Sequence, residues 1–189
     1  MKIMMKEVFK NILHFLQIFL LSLAIVLPIR YFVVQPFLVR GESMLPTFNN
    51  FDYLFVERVS YYVREPARGE VIVFRFPRNE RDYYIKRVVG LPGEEVRIEG
   101  GQVQVITLQG KTLLLKEPYL SSNTFTQGGA EVRLGPGEYY VLGDNRDASY
   151  DSRRWGVLPA KDIIGRVLAR IWPPNKAKAF WGEEFMTND

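Results

Sequence analysis

The sequence predicts a mainly β domain, barrel-like or built of coiled sheets, carried on one N-terminal membrane helix. Three observations predict it. Residues 11–29, NILHFLQIFLLSLAIVLPI, hold no Asp, Glu, Lys or Arg. After Pro36, short apolar or alternating runs recur, most of them set apart by Gly, Pro, Asn or charge clusters. That is the pattern of many short strands with turns between them. No long amphipathic helix pattern competes in that stretch.

The apolar run comes first. Nineteen residues of α-helix span about 28 Å, close to the thickness of bilayer hydrocarbon. Asn11, His14 and Gln17 fall near its start, at interfacial depth. Lys2, Lys6 and Lys10 precede it. The positive-inside rule then leaves residues 1–10 in the cytoplasm, sends 11–30 across as a signal-anchor and puts the rest outside. Arg30 lies at the far end, where it snorkels. The run is longer than the apolar part of a secretory signal and no small-x-small site follows, so it is expected to be retained.

The strands follow in order: Tyr53–Val56, Val71–Phe76, Tyr83–Val89, Glu95–Ile98, Val103–Ile106, Leu113–Leu115, Glu138–Leu142 and Ile163–Ile171. Residues 99–137 are the most turn-rich, with Gly100-Gly101, Gly110, Gly128-Gly129 and Gly135-Pro136-Gly137. They read as a small β cap inserted in a domain of residues 36–189. Trp172-Pro173-Pro174-Asn175 ends regular structure; Phe180 and Trp181 beyond it suit either the membrane interface or the body of the domain.

Charge and counting narrow the chemistry. Of the 25 basic and 21 acidic residues, five basic groups and one acid lie in residues 1–40. The net +4 therefore belongs to the N-terminal segment. It speaks for membrane topology, and the neutral body lacks the basic stripe of a nucleic-acid binder. There is no cysteine and one histidine, His14, in the apolar run. A thiol nucleophile, disulfides, thiolate zinc and a Ser-His-Asp triad are excluded by counting. No metal and no cofactor are expected.

Ser43, in Arg40-Gly41-Glu42-Ser43-Met44-Leu45-Pro46-Thr47, is the candidate nucleophile. Its base must then be a lysine or a carboxylate. Lys86 lies in Tyr83-Tyr84-Ile85-Lys86-Arg87-Val88-Val89. On a strand it shares a face with Tyr84 and Val88, while Arg87 shares the other with Ile85 and Val89. Pointed into an apolar face, its amine loses hydration and its pKa falls, leaving a neutral base. Snorkelling outward or pairing with an acid is the alternative. The third stretch, Gly143-Asp144-Asn145-Arg146-Asp147-Ala148-Ser149-Tyr150-Asp151-Ser152-Arg153-Arg154-Trp155-Gly156, is dense in acids, amides, hydroxyls and arginines. It suits a buried scaffold of charge-assisted hydrogen bonds or a solvated loop, and its spacing is poor for calcium.

Taken together, Gly41 to Thr47, Arg68-Gly69-Glu70-Val71-Ile72-Val73-Phe74, Tyr84 to Val89 continued as Gly90-Leu91-Pro92-Gly93-Glu94, and Gly143 to Gly156 resemble the boxes of type I signal peptidases, family S26. These are membrane-anchored Ser/Lys endopeptidases with a coiled-β-sheet fold shared with self-cleaving repressors. With the signal-anchor, the resemblance covers nearly the whole chain. It implies that Ser43 attacks the scissile carbonyl and that Lys86 is general base and then general acid. Ser149 matches the hydroxyl that orients the lysine. Asp151 and Arg153 match a supporting pair, with Asp144 and Arg146 as further scaffold. Gly41, Met44, Pro46, Tyr84 and Ile85 belong to the pocket and oxyanion loop, with the Ser43 amide as one oxyanion donor. Two positions depart from the pattern. Gly41 stands where some members carry a serine donor, and Ala148 stands where an Asn usually precedes the orienting serine.

The implied substrate is a preprotein signal peptide with small residues at −1 and −3, bound by β-addition to Pro36–Glu42 and Asp82–Ile85. The implied partners are that peptide and the lipid bilayer, for a monomer with no nucleic acid. The implied location is a bacterial plasma membrane, or a thylakoid. Two rivals remain. A self-cleaving repressor needs a DNA-binding region where residues 1–40 are apolar. A tethered peptide-binding β domain has no use for both Ser43 and Lys86.

Overall fold

The computed structural model describes residues 2–28, 34–121, 124–180 and 186–187. The chain forms two units, Met1–Gln35 and Pro36–Asp189. The first is helix α1, Lys2–Pro28. Its window Lys10–Leu27 is long and apolar enough to cross a bilayer and is the one such span among the described residues. Arg30 and Trp181 lie outside the described residues.

The second unit is mainly β. One sheet contains β1 (Val34–Leu38), β2 (Tyr53–Glu57), β3 (Val71–Phe76), β4 (Asn79–Gly90) and β9 (Glu138–Leu142). It also contains β10 (Leu158–Pro159), β11 (Ile163–Trp172) and β12 (Lys178–Ala179). The strand order is β1-β2-β11-β3-β4-β9-β10, with β12 on β11. A second sheet has the order β13-β7-β6-β5-β8. Its strands are β5 (Glu95–Glu99), β6 (Gln102–Ile106), β7 (Thr112–Lys116), β8 (Ala130–Arg133) and β13 (Met186–Thr187).

Alternation along three strands explains how the core is divided. Ile72, Phe74 and Phe76 of β3 enter one cluster with Val88, Tyr139, Val141, Trp155, Leu158 and Ile163. Val71 and Val73, on the other face of β3, enter a cluster with Val39, Met44, Phe48, Leu54, Val56 and Val167. Tyr140 and Leu142 of β9 join Val89 and the second sheet's Val96, Ile98, Val103, Val105 and Leu115. Strands buried on both faces lose polar alternation, which is why β3 and β9 read as dense apolar runs.

Some elements differ from the expectation. The strand leading to Ser43 ends at Leu38, not Glu42, because Gly41 takes φ +97° and turns the chain. Val39 still bonds Asp52 and Phe51 through its backbone. β4 begins at Asn79, four residues before the apolar run. β8 escapes sequence reading, since Ala130-Glu131-Val132-Arg133 has little strand propensity of its own and is ordered by pairing with β5. Phe180 packs on Phe48, ring centroids 5.0 Å apart.

Candidate active site

Ser43 sits in the tight turn after Leu38. Two anchors hold that turn. Met44 is buried in the cluster with Phe48 and Leu54. The Ser43 carbonyl accepts from the Asn145 amide at 3.0 Å, while Asn145 Nδ2 donates to the Glu42 carbonyl at 3.0 Å. Lys86 comes from β4, opposite Ile72 of β3, on the face of Tyr84 and Val88.

The two side chains meet: Lys86 Nζ lies 2.7 Å from Ser43 Oγ. Lys86 also donates to its neighbour's carbonyl, Ile85 O, at 2.8 Å. Lys86 is 4% exposed. Burial lowers its pKa from the ordinary 10.5 to about 8, against the opposing pull of the Asp151 and Asp144 carboxylates. This geometry allows a hydroxyl proton to pass to a neutral amine.

The loop from Gly143 to Gly156 wraps beneath this pair. Asp151 is fully buried and caps the short helix α2 (Ser152–Trp155). Arg153 grips it with Nε and Nη2, both at 2.8 Å, and the Gly143 amide donates to it at 3.0 Å. Burial raises the Asp151 pKa, but Arg153, the Gly143 amide and the nearby Ser149 hydroxyl bring it below the ordinary value. Asp144 is held bidentate by Arg87, at 2.9 and 2.6 Å, and accepts from Thr47 Oγ1 at 2.5 Å. Arg146 Nε donates to the Gly143 carbonyl at 3.0 Å.

Gly143 is the point of closest approach. A Cβ there would collide with Ser149 Oγ and with the Ser43 carbonyl. Its lack of a side chain lets the Ser43 turn rest on the end of β9.

The expected site residues separate into groups. Gly41, Tyr84 and Ile85 line one cavity with Ser43 and Lys86. Its volume is about 650 Å³, and residues 37–43 and 81–86 form much of its lining. Met44 and Pro46 do not line it: Met44 points into the core, and Pro46 is exposed toward Asn145 on another side. The Ser149 hydroxyl is buried beside the Gly143 backbone, near the Asp151 carboxylate; among the described residues no hydrogen bond joins it to Lys86, whose Nζ donates to Ser43 Oγ and Ile85 O. Asp144 and Arg146 do not pair with each other. They are satisfied by Arg87 and by Glu117 respectively.

Sequence reasoning missed Arg87, Thr47, Asn145 and Glu117 as site residues. Arg87 had a signal, since it alternates with Lys86 on the strand and so had to find a buried counter-charge. Glu117 had none, being 29 positions from Arg146.

The Ser43 amide donates to no acceptor among the described residues. The Gly41 amide is taken by Asn50 Oδ1 at 3.0 Å. The Ser43 amide thus has no internal partner there, as a donor that could serve an oxyanion requires.

Residues 12–172 match the family model described as signal peptidase, peptidase S26. The signal peptidase I of Leptolyngbya laminosa is 41% identical over 163 residues, covering 82% of this chain and 77% of that protein. The signal peptidase IB of Staphylococcus aureus (strain COL) is 32% identical over 196 aligned positions, 95% of this chain and 99% of that one. The crystal structure of a signal peptidase I from Enterococcus faecalis V583 aligns with 55% of this chain and 97% of that chain at 29% identity, with a TM-score of 0.45.

Proposed function

The chain belongs to the signal peptidase family, peptidase S26, and on that premise we propose that it removes signal peptides from preproteins with Ser43 as nucleophile and Lys86 as general base. The observation that carries the reading is the 2.7 Å approach of Ser43 Oγ to a lysine whose burial brings its pKa to about 8.

The steps follow from that pair. The neutral Lys86 amine takes the Ser43 proton as Oγ attacks the scissile carbonyl. Negative charge then develops on the carbonyl oxygen, where the Ser43 amide donates. Lys86, now an ammonium, returns the proton to the departing amine of the mature chain. Water, activated by the same amine, hydrolyses the acyl-enzyme. Asp151 and Asp144 stabilise the transient ammonium, and Arg153 and Arg87 hold those carboxylates in place.

The cavity suits an extended peptide. Residues 38–43 form one wall and residues 81–86 another. β4 pairs with β9 only from Arg87 onward, leaving Tyr83, Tyr84, Ile85 and Lys86 paired with β3 on one side alone among the described residues. An extended substrate can add to that free edge. Aromatic side chains of Phe37, Tyr83, Tyr84 and Tyr150 crowd the space and favour small residues at −1 and −3. The apolar helix anchors the enzyme, with Lys2, Lys6 and Lys10 on the cytoplasmic side and the peptidase domain across a bacterial plasma membrane or thylakoid. The enzyme acts as a monomer on substrates held in the lipid bilayer.

The test is cleavage of a preprotein by the full chain in detergent or vesicles. Ser43→Ala and Lys86→Ala should each abolish the defined N-terminal truncation while the protein stays folded. Turnover like the parent's by either variant sinks the dyad.

A further inference from the structure

The second sheet does more than flank the site. The chain leaving β7 passes through Glu117, Tyr119 and Thr126, and all three side chains are buried although the described residues of the segment form no helix or strand. They converge on Arg146. Its Nη1 donates to Glu117 Oε2 at 3.1 Å and also to Thr126 Oγ1; its Nη2 donates to Glu117 Oε1 and lies 3.5 Å from the Tyr119 hydroxyl. Tyr119 OH itself donates to Glu117. The one nitrogen of Arg146 turned toward its own loop is Nε, which holds the Gly143 carbonyl.

The same segment reaches the other arginine. The Arg87 guanidinium lies 3.8 Å from the centre of the Tyr119 ring. Arg87 is the residue after Lys86 and carries Asp144 in its fork. Glu117 thus sits behind Arg146, and Tyr119 behind both arginines that fix residues 143 and 144, the point where the nucleophile turn rests.

We propose that Glu117 is a positioning residue for the Ser43–Lys86 pair, acting through Arg146 and the Gly143 carbonyl. This rests on the dyad reading above. Glu117 touches neither Ser43 nor Lys86 and does not line the substrate cavity. With its carboxylate gone, Arg146 keeps a buried charge without its counter-ion and swings from the fork that aims Nε at Gly143. The Gly143 backbone then relaxes, and the Ser43 carbonyl and Ser149 Oγ, which meet it without a Cβ to spare, move with it. A displacement on the order of 1 Å at reacting atoms costs about 10²-fold in rate. Residues 37–40 and 81–85, which line most of the cavity, lie off this relay and leave substrate binding in place.

The experiment compares Glu117→Gln and Glu117→Asp with the parent in the full chain, measuring kcat and KM for preprotein cleavage. Glu117→Gln should lower kcat by about 10²-fold with KM within about two-fold. Glu117→Asp, which keeps the charge, should recover at least about a tenth of the parent's kcat, within the range expected for outer contacts of a site. Parental kcat in Glu117→Gln overturns the proposal, as does an equal fall in both variants or a loss carried by KM. If Glu117→Gln does not fold, Thr126→Val decides, because it deletes one acceptor of Arg146 alone. A several-fold fall in kcat at constant KM supports the proposal, and an unchanged kcat overturns it. Ser43→Ala runs beside them. If it still cleaves, the dyad reading has failed; if it is inert while Glu117→Gln is parental, only the positioning role has.

Discussion

On the proposed dyad, the pH dependence of cleavage follows from how Lys86 is buried. Its pKa falls from the ordinary 10.5 to about 8, chiefly through loss of hydration. That difference disfavours the buried ammonium by about 3 kcal/mol. At pH 7 about 10% of the enzyme then carries the neutral amine, against about 0.03% for a solvated lysine, a gain of about 300-fold in competent base. The sign is set by protonation: the base is lost below its pKa, so activity rises with pH. kcat/KM for a substrate with no group titrating in the range should climb about ninefold from pH 6 to 7, bend near pH 8 and level above about pH 9. The assay is initial rates by the full chain in micelles across pH 6 to 10. A second perturbation checks the cause. Asp151 pulls the Lys86 pKa upward, so Asp151→Asn should move the bend to lower pH, and the Arg153 charge left behind pushes the same way. A flat profile, a bend near 10.5, or a shift to higher pH in Asp151→Asn would refute a buried lysine base.

Gly143→Ala should be folded but crippled. The added methyl meets Ser149 Oγ and the Ser43 carbonyl, costing about 1–3 kcal/mol in stability and about 10²-fold in kcat, read by thermal melting and by turnover. Asp144→Asn removes the counter-charge of Arg87, whose side chain is 6% exposed, and should cost about 3–5 kcal/mol. Its melting temperature should fall by about 10 °C, and an unchanged melt would contradict the burial argument. A reporter active only outside the cytoplasm, fused after Asp189, should be active; a signal confined to a cytoplasmic reporter would reverse the proposed orientation.

The strand pattern was legible because burial leaves a periodic mark. Val71–Phe76 and Glu138–Leu142 were bounded correctly to the residue, since an apolar run ends where burial ends. β8 was not legible, because its four residues owe their conformation to β5. The Lys86 face was legible for the same reason as the strands: alternation alone separates it from Arg87. Counting alone removed histidine and cysteine from the chemistry.

Other features depend on contacts between distant residues. That Ser43 and Lys86, 43 positions apart, come within 2.7 Å is decided by the antiparallel pairing of β3 and β4 and by Gly143 beneath the turn. That Lys86 is buried rather than snorkelled is decided by the packing around Ile72 and Val88, which strips most of the hydration from the amine and so lowers its pKa. Ser149 shows the difference most plainly. Its place in the loop could be assigned by resemblance, but the direction of its hydroxyl depends on the backbone it packs against, and there it turns beside Gly143. Residue types determine which chemistry is available, because protonation and nucleophilicity are local properties. Distances and pKa values belong to the folded chain, because they depend on what each group is packed against.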